Sequence, residues 1–384
     1  MRRISLGFAE NKCYNQDMYI HELADWPYFS WNHYRITELL VPVRHQQGRL
    51  TGGMESIGFH LREQTVLQVL TQDVVKSSEI EGEILDASQV RSSVAQQLGM
   101  EQAALSPIDR NVEGVVKMIL DATQHFDKPL TKERLFDWHR ALFQERWSGL
   151  KKITIGEWRK GPVYVVSGQM GKEKIHFEAP SAARVDGEME SFLKWINEEN
   201  SMDLLLKAAL AHLWFVTIHP FEDGNGRIGR AIADFLLARS EKSSRRFYSL
   251  SQQIQVERKH YYALLEQTQK GSLDVTAWIE WFLACLERAI QEALETLKVV
   301  LDKARFWEAI ADLALNERQR KVLNRLLDGF EGKLTTSKWA KIAKCSQDTA
   351  HRDIVNLIEK KILVKNAEGG RSSSYSLLTH LMQP

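Results

Sequence analysis

The stretch "DLLLKAALAHLWFVTIHPFEDGNGRIGR", residues 203–230, joins an apolar run to a polar loop that contains glycines. Its first part, 203–218, is apolar almost throughout, which predicts a helix buried in the core. Helical spacing of apolar residues resumes after the loop, at Ile228, Ile232 and Phe235. We therefore expect the loop to lie between two buried helices and to open onto the amino terminus of the second.

The loop at 219–230 has the composition of a site for a phosphorylated ligand. Helix amino termini attract anions through free N–H groups, and glycines let an anion approach the backbone. Arg227 and Arg230 share one helix face, so both can reach an extended polyphosphate. Asp223 suits Mg²⁺ bound with phosphates, and His219 can accept a proton near neutral pH. These residues predict phosphoryl or nucleotidyl transfer, and the alternative is a solvated turn between helices.

The same loop resembles the signature of the Fic family, H-x-F-x-[DE]-G-N-G-R-x-x-R. Every position of this long pattern is filled, by His219, Phe221, Asp223, Gly224, Asn225, Gly226, Arg227 and Arg230. The resemblance implies a mostly helical core that transfers AMP from ATP to a hydroxyl of a protein side chain. It also implies a role for each residue: His219 as general base, Asp223 as Mg²⁺ ligand, Phe221 as core anchor, Gly224, Asn225 and Gly226 as phosphate cradle, and Arg227 and Arg230 as contacts of the β- and γ-phosphates.

A β-hairpin is predicted over 163–177, within a pattern that is otherwise helical from about residue 109 to residue 300. Its β-branched and aromatic residues lie on both sides of a turn that contains glycine. By the resemblance, this hairpin is the flap, which covers the site and docks a target segment by strand addition. The docking residues would be Ile175, His176 and Phe177. A surface hairpin without a role in the site is the alternative.

The segment "KHYYALLEQTQKGSLDVTAWIEWFL", residues 259–283, resembles the family's helix after the signature, where an aromatic and an amide side chain meet the adenine. This resemblance implies ATP contacts from Tyr262 and from Gln269, where relatives often have asparagine. Core packing is the alternative role of Tyr261 and Tyr262, and we expect it for at least one of them.

The N-terminal third predicts a helical domain. Apolar residues recur at three- and four-residue steps in 63–85, and Gly82 predicts a helix stop there. The segments 26–32 and 90–100 resemble a helical domain that often precedes the Fic core in bacterial proteins. We therefore expect a separate helical domain before the core.

The hexapeptide "SSEIEG" in this domain matches the inhibitory pattern [ST]-x-x-x-E-[GN], with Ser77, Glu81 and Gly82 in the defined positions. The resemblance implies that Glu81 pairs with Arg230 and takes the place of the γ-phosphate, so that ATP binds in a non-productive pose. The alternative is a solvated charge at the end of a helix.

Residues 334–377 predict a helix, a short turn, a second helix and two strands around a glycine pair at 369–370. This outline is that of a winged helix-turn-helix and resembles the "T-A-x-R-D" recognition helices of bacterial regulators. Residues 316–380 contain 13 Lys and Arg against 7 Asp and Glu, a surplus that favours nucleic acid. Asp348 and Asp353 lie on the predicted recognition helix and would repel phosphates. DNA binding thus stays open beside protein docking or dimerisation.

Composition limits the remaining choices. The chain has 384 residues, enough for two or three domains, and its formal net charge of +1 argues against a chain-wide attraction to nucleic acid or membrane. Cys13, Cys285 and Cys345 are scattered, which indicates a reduced intracellular protein and no disulfide scaffold. The N-terminus has no apolar run typical of a signal peptide, and the apolar stretch 275–286 carries Glu280, which favours a buried helix. We expect a cytoplasmic protein without a membrane span.

We therefore expect a mostly α protein with three parts: a helical domain with the inhibitory motif (1–105), a Fic-type catalytic core with a small β-hairpin flap (106–304), and a winged helix (305–384). The expected reaction uses ATP and Mg²⁺ and leaves AMP on a Tyr, Ser or Thr hydroxyl of a target protein or of the chain itself. Two other functions stay open. One is a DNA-binding regulator that senses nucleotide, and the other is a hydrolase that removes AMP from proteins, with Glu81 placing a water.

Overall fold

The fold is mostly α-helical with small antiparallel sheets, which confirms the predicted class. The computed structural model describes residues 3–4, 18–100, 107–143, 147–148, 151–168, 172–330, 332–366 and 373–378. Two compact units divide the chain, residues 1–293 and 294–384. Of the predicted domain boundaries, the one at 105 lies outside the described residues and the one at 305 lies within a helix, Thr276–Ala309. In the part of the chain that is described, no helix is long and apolar enough to cross a membrane.

The first unit contains eleven of the described helices, the last of which continues beyond it. They are α1 (His33–Ser56), α2 (Phe59–Ile80), α3 (Ala87–Gln97), α4 (Arg110–Gln124), α5 (Lys132–Leu142), α6 (Val185–Asn197), α7 (Leu204–Ile218), α8 (Asn225–Glu241), α9 (Leu250–Val256), α10 (Arg258–Gln269) and α11 (Thr276–Ala309). Its described strands are β1 (Arg3–Ile4), β2 (Trp147–Ser148), β3 (Lys151–Lys152), β4 (Tyr164–Ser167) and β5 (Lys174–Glu178).

Helix α7 forms the centre of this unit and packs along α8. The side chain of Asp203 starts the helix by accepting the Leu205 N–H at 2.7 Å. Every residue from Leu205 to Ile218 is buried, as expected for a helix that is apolar on all sides. Trp278 of α11 donates its indole N–H to the Ala209 carbonyl at 2.8 Å, which fixes α11 against α7. The predicted pair of buried helices around the loop is therefore confirmed.

Helix α2 brings the segment that follows it to the amino-terminal end of α8. Gly82 has a φ of +87° and ends the helix, in agreement with the predicted stop. The Gly82 N–H donates to the Glu79 carbonyl and the Glu83 N–H donates to the Ser78 carbonyl, each at 3.0 Å. The last carbonyls of α2 therefore have partners.

The predicted hairpin is formed by β4 and β5, and residues 169–171 of its turn lie outside the described residues. The register shifts between Val165, opposite Phe177, and Val166, opposite Ile175. His176 is therefore an extra residue on β5, in the manner of a β-bulge, which re-aims a side chain. Strand β1 pairs with the other edge of β4, so the sheet order is β1-β4-β5.

The described elements of the second unit, after α11, are α12 (Glu317–Leu327), β6 (Leu334–Thr335), α13 (Thr336–Ala343), α14 (Gln347–Glu359), β7 (Leu363–Lys365) and β8 (Ser374–Leu377). They follow the predicted order of helix, turn, helix and two strands, and β8 lies between β6 and β7. Trp339 and Leu357 are fully buried in the core of this unit. The glycine pair at 369–370 lies outside the described residues.

Asp353 was expected to repel DNA phosphates from the surface of α14, but it is not a free surface charge. Its side chain is buried and accepts from Arg318 Nε at 2.9 Å and from Asn316 Nδ2 at 2.9 Å. Whether it acts on a nucleic acid stays a prediction. Asp348 is exposed in the first turn of α14, where a negative charge stabilises the helix end.

Candidate functional site

His219 ends α7 in a left-handed conformation, with φ 51° and ψ 59°. This conformation costs about 1–2 kcal/mol for a residue with a side chain, and it turns the chain sharply from helix into loop. The ring Nδ1 lies 3.0 Å from the Val216 carbonyl oxygen. Because a carbonyl only accepts, Nδ1 carries the proton of the neutral ring and the lone pair is on Nε2. The local fold therefore prepares Nε2 to act as a base.

Phe221 and Asn225 hold the loop against the core. Phe221 is fully buried, as expected of an anchor, and its ring stacks on His139 with centroids 4.2 Å apart. The buried Asn225 amide accepts the Phe221 N–H at 2.9 Å and donates to the Phe221 carbonyl at 2.8 Å. The Asn225 side chain, expected in the phosphate cradle, is thus a brace for the loop. What this residue offers an anion is its backbone N–H in the first turn of α8.

Gly226 at the start of α8 leaves room for an anion, and the carboxylate of Glu81 occupies that room. Gly224 precedes the helix with φ 82°, a conformation that side chains disfavour. A Cβ atom on Gly226 would lie 1.9 Å from Glu81 Oε1, so any side chain there would displace the carboxylate. The helix dipole and the first N–H groups of α8 favour a negative charge at this place. The predicted cradle therefore faces a carboxylate in the protein itself.

Arg230 is almost fully buried and is held by the end of α2. Its Nε donates to Ser77 Oγ at 3.0 Å, and a terminal nitrogen donates to the Ser77 carbonyl at 2.8 Å. The other terminal nitrogen lies 3.2 Å from Glu81 Oε1. The pair predicted between Glu81 and Arg230 is present, and Ser77 takes part through both its side chain and its backbone.

Arg227, the first arginine of the loop, is held by the same segment. Its terminal nitrogen lies 2.5 Å from Glu83 Oε2. The Arg227 side chain is 3% exposed whereas that of Glu83 is 46% exposed, so within this pair the carboxylate contacts solvent and the guanidinium is buried. The guanidinium also lies over the ring of Phe143, 5.1 Å from its centroid. Glu83 was not expected in the site, because the inhibitory pattern ends at Gly82.

Asp223 is half-buried beside the cradle, and its Oδ1 accepts the Gly224 N–H at 2.6 Å. Among the described residues, no group of three or more His, Cys, Asp or Glu side chains could hold a metal ion. Mg²⁺ that binds with a polyphosphate needs only one or two protein carboxylates, because phosphates and waters complete its shell. The donor set around Asp223 fits that mode of binding and does not fit an ion held by protein alone.

A cavity opens beside His219 and Gly226 and continues between the flap and α10. Tyr262 and Gln269, the residues expected at the adenine, both line it. The Tyr262 hydroxyl donates to the Ile80 carbonyl at 3.1 Å and lies 3.5 Å from Glu81 Oε2, so its present partners belong to the end of α2 and to the inhibitory motif.

Hydrogen bonds to α7 hold two residues of α10 that line this cavity, Gln269 and Tyr261. Gln269 is buried and donates to Thr217 Oγ1 at 3.2 Å. Tyr261 is buried and its hydroxyl lies 2.9 Å from His212 Nε2, which agrees with the core-packing role expected for one of the two tyrosines.

The flap side chains expected to dock a target are mainly directed inward. Phe177 is 1% exposed, and the His176 ring lies between Ser167 Oγ and Glu266 Oε2, at 2.5 Å from each. Ile175 is half-buried. A peptide that adds to this hairpin would therefore be recognised through the backbone of the strand more than through these three side chains. Ser167 and Glu266, which hold His176, carried no signal in the sequence because each lacks a motif.

Comparisons with known proteins match two parts of the chain. Residues 129–237 match the family model described as "Fic/DOC family", and residues 19–100 match one described as "Domain of unknown function (DUF4172)". Two curated proteins named "Protein adenylyltransferase Fic", from Culex quinquefasciatus and Drosophila melanogaster, are each 26% identical over 224 residues. The match covers 57% of this chain and 40% and 41% of those proteins. The chain thus spans about two fifths of the length of these curated relatives.

Two solved structures share the fold. A Fic family protein from Desulfovibrio desulfuricans G20 has a TM-score of 0.54 at 21% identity, over 92% of this chain and 98% of that chain. A Fic domain containing signaling protein from Bacteroides thetaiotaomicron VPI-5482 has a TM-score of 0.50 at 20% identity, over 68% of this chain and 96% of that chain. These two structures share the fold of this chain, and residues 129–237, which match the Fic/DOC family model, include the loop at 219–230.

Proposed function

We propose that this chain is a protein adenylyltransferase, which moves AMP from ATP to a Tyr, Ser or Thr hydroxyl of a protein. The observation that carries this proposal is the position of the Glu81 carboxylate, against Gly226 and on Arg230. A buried guanidinium and a helix amino terminus converge on one anion, beside a histidine whose Nε2 can accept a proton. A phosphate group has the charge and the acceptor oxygens to replace that carboxylate.

The chemistry assigned to the chain's own residues begins at His219. Its Nε2 takes the proton of the incoming hydroxyl as that oxygen bonds to the α-phosphorus of ATP. The bond between the α-phosphorus and the oxygen leading to the β-phosphorus breaks, and pyrophosphate leaves. The N–H groups of the first turn of α8 stabilise the charge that develops on the phosphate oxygens.

Asp223 would hold Mg²⁺ together with the phosphates of ATP, and the ion would neutralise charge on the leaving pyrophosphate. Arg227 and Arg230 would bind the β- and γ-phosphates, since both guanidinium groups already hold carboxylates of the segment after α2, Glu83 and Glu81 respectively. Tyr262 and Gln269, which both line the cavity, would contact the adenine.

In this proposal the segment after α2 is an inhibitor of the same site. Glu81 and Glu83 satisfy Arg230 and Arg227 respectively, so ATP must compete with two carboxylates. The γ-phosphate can take its place only if Glu81 moves away. We propose that the wild-type chain is autoinhibited by this competition.

The decisive experiment compares labels on different phosphates of ATP. The chain is incubated with Mg²⁺ and either α-labelled or γ-labelled ATP, in wild type and in Glu81→Gly, with and without a cell extract as a source of targets. AMP transfer requires protein-bound label from the α-position and no label from the γ-position. Label from the γ-position alone would replace the proposal with phosphotransfer, and α-labelled GTP, CTP and UTP measure the preference for ATP.

A hydrolase that removes AMP from proteins is the second candidate, because Glu81 lies against the cradle where its carboxylate could orient a water. Purified protein that already carries labelled AMP separates the two functions. Release of AMP by the wild type and its loss in Glu81→Gly would favour the hydrolase. Release by neither, with transfer by Glu81→Gly, would favour the transferase.

A further inference from the structure

Arg159 is a buried arginine whose hydrogen bonds all end on backbone carbonyls. It lies between β3 and β4 and is 2% exposed. Its Nε donates to the His219 carbonyl at 2.7 Å, one terminal nitrogen donates to the Gly161 carbonyl at 2.9 Å, and the other donates to the Pro180 carbonyl. The last of these nitrogens also lies 3.4 Å from the Ile218 carbonyl.

Two of these acceptors belong to the end of α7. The last carbonyls of a helix have no partner inside it and carry the negative end of the helix dipole. A guanidinium at that position satisfies them and is attracted by the dipole, which offsets part of the cost of burying its charge. Burial lowers the pKa of Arg159 to about 10, so the group is a cation at neutral pH. The backbone N–H of Arg159 adds a bond to the Pro220 carbonyl at 2.9 Å.

The other two acceptors belong to the flap. Gly161 precedes β4 and Pro180 follows β5, so they are the two stems of the hairpin. One planar guanidinium therefore connects both stems to the residue that would act as base. Since the guanidinium is rigid and its donors have fixed directions, a shift of either stem changes the bond to His219.

We propose that Arg159 is a positioning residue that fixes the flap and His219 relative to each other, so that a hydroxyl on a docked target meets Nε2 of the imidazole. Without its donors, the left-handed turn at His219 loses the guanidinium contacts to its carbonyls, which help to hold it against its conformational strain. The stems of the flap lose their common anchor at the same time. Both effects follow from one side chain.

The structural test is hydrogen–deuterium exchange of the full chain in wild type, Arg159→Gln and Arg159→Lys. We expect faster exchange in Arg159→Gln both at 163–179, where Ala179 N–H bonds the Val163 carbonyl, and at 215–221, where the His219 N–H bonds the Phe215 carbonyl. Arg159→Lys, which retains a cation with fewer directed donors, should show the same two changes to a smaller extent. If Arg159→Gln does not fold, Arg159→Lys alone still tests the coupling.

Arg239→Gln is the matched control. Arg239 likewise donates to backbone carbonyls, of Phe126 at 2.9 Å and of Lys128 at 3.0 Å, but these lie in the loop between α4 and α5. The control should leave exchange at 163–179 and 215–221 as in the wild type. Faster exchange at only one of these two segments in the Arg159 variants, or an equal change in the control, overturns the coupling.

The kinetic test rests on the proposed function and uses the Glu81→Gly background. We expect Arg159→Gln to lower kcat for AMP transfer about 10- to 100-fold, because a displacement of about 1 Å at a reacting group has that order of effect. The Kd for ATP should change less than about twofold, and Arg159→Lys should restore part of kcat. An unchanged kcat would remove Arg159 from the reaction. If the parent shows no transfer at all, the proposed function fails, while the exchange result still decides the coupling.

Discussion

The carboxylate of Glu81 lies 3.2 Å from a terminal nitrogen of Arg230, which is 149 positions later in the sequence, and directly over Gly226. Arg230 is almost fully buried, and a buried arginine that loses its anion pays a large desolvation cost. In this structure the protein supplies that anion itself, and the proposed competition with a phosphate of ATP can be measured.

Glu81→Gly should raise AMP transfer from ATP. The substitution removes the competitor and leaves the loop at 219–230 intact, and a coupling of this kind typically corresponds to about 5- to 150-fold. The measurement is the initial rate of labelling with α-labelled ATP. In Glu81→Gly/Arg230→Ala the gain should disappear, because the γ-phosphate then has no guanidinium to bind.

Glu79→Gly is the matched control for this experiment. It places a glycine in the same turn of α2, at a residue whose carboxylate bonds Lys76 at 2.8 Å and not Arg230. A glycine inside a helix costs about 1 kcal/mol, so Glu79→Gly weakens the last turn of α2 at least as much as Glu81→Gly does at the C-cap. Equal activation by Glu79→Gly would mean that helix weakening, and not the lost pair, releases the site.

Glu83→Gln should increase the affinity for ATP by a smaller factor, about 2- to 5-fold, because its carboxylate is half exposed and its pair with Arg227 is weakened by water. Glutamine retains the size of the side chain and removes the charge. ATP binding is measured by calorimetry in the presence of Mg²⁺. In Glu81→Gly/Glu83→Gln the two gains in ATP affinity should combine. If Glu83→Gln binds ATP no more tightly than the wild type does, competition at Arg227 is excluded.

His219→Ala should abolish transfer and leave ATP binding nearly unchanged. The imidazole acts on the incoming hydroxyl, whereas the cradle and the arginines bind the phosphates, and loss of a general base typically costs about 10²–10⁴ in rate. His219→Ala is made in the Glu81→Gly background and compared with Glu81→Gly itself, so that ATP binding is not masked by the inhibitor. Single-turnover labelling beside an ATP titration gives the two quantities, and near-normal labelling would remove His219 from the mechanism.

The sequence predicted those parts of the site that lie within a short stretch of chain. The loop at 219–230 and the pattern from Ser77 to Gly82 each combine several residue types at fixed spacing, and the structure brings the two together. Arg159 had no such signal, because it bonds backbone carbonyls, which every residue possesses. Glu83 lies one residue beyond the inhibitory pattern, and its partner Arg227 is 144 positions away.

The partners of single polar side chains were not predictable. Asp353 was expected as a charge on the surface of a helix, but it is buried and pairs with Arg318, 35 residues earlier. The amide of Asn225, a residue expected to cradle phosphate, bonds the backbone of Phe221, and the role of Asn225 towards a phosphate stays a prediction. In both cases the partner depends on the path of the backbone, which a pattern of residue types does not specify.

Acid should destabilise the protein through His139. This ring is buried against Phe221, accepts the Gly156 N–H on Nδ1 at 3.1 Å and donates from Nε2 to the Asp223 carbonyl at 3.2 Å. Burial lowers the pKa of His139 from 6.5 to about 4. Between these values the unfolded chain takes up a proton that the folded chain does not, so stability is complete above pH 6.5 and falls as the pH drops towards 4. The free energy of unfolding should fall by about 2 kcal/mol between pH 7 and pH 5 on account of this residue, as measured by denaturant titration at each pH.

His139→Gln should lower stability at pH 7 and lose that share of the pH dependence, whereas His125→Gln, at an exposed histidine, should retain it. A pH dependence in His139→Gln as steep as in the wild type would show that the ring can be protonated without opening the loop.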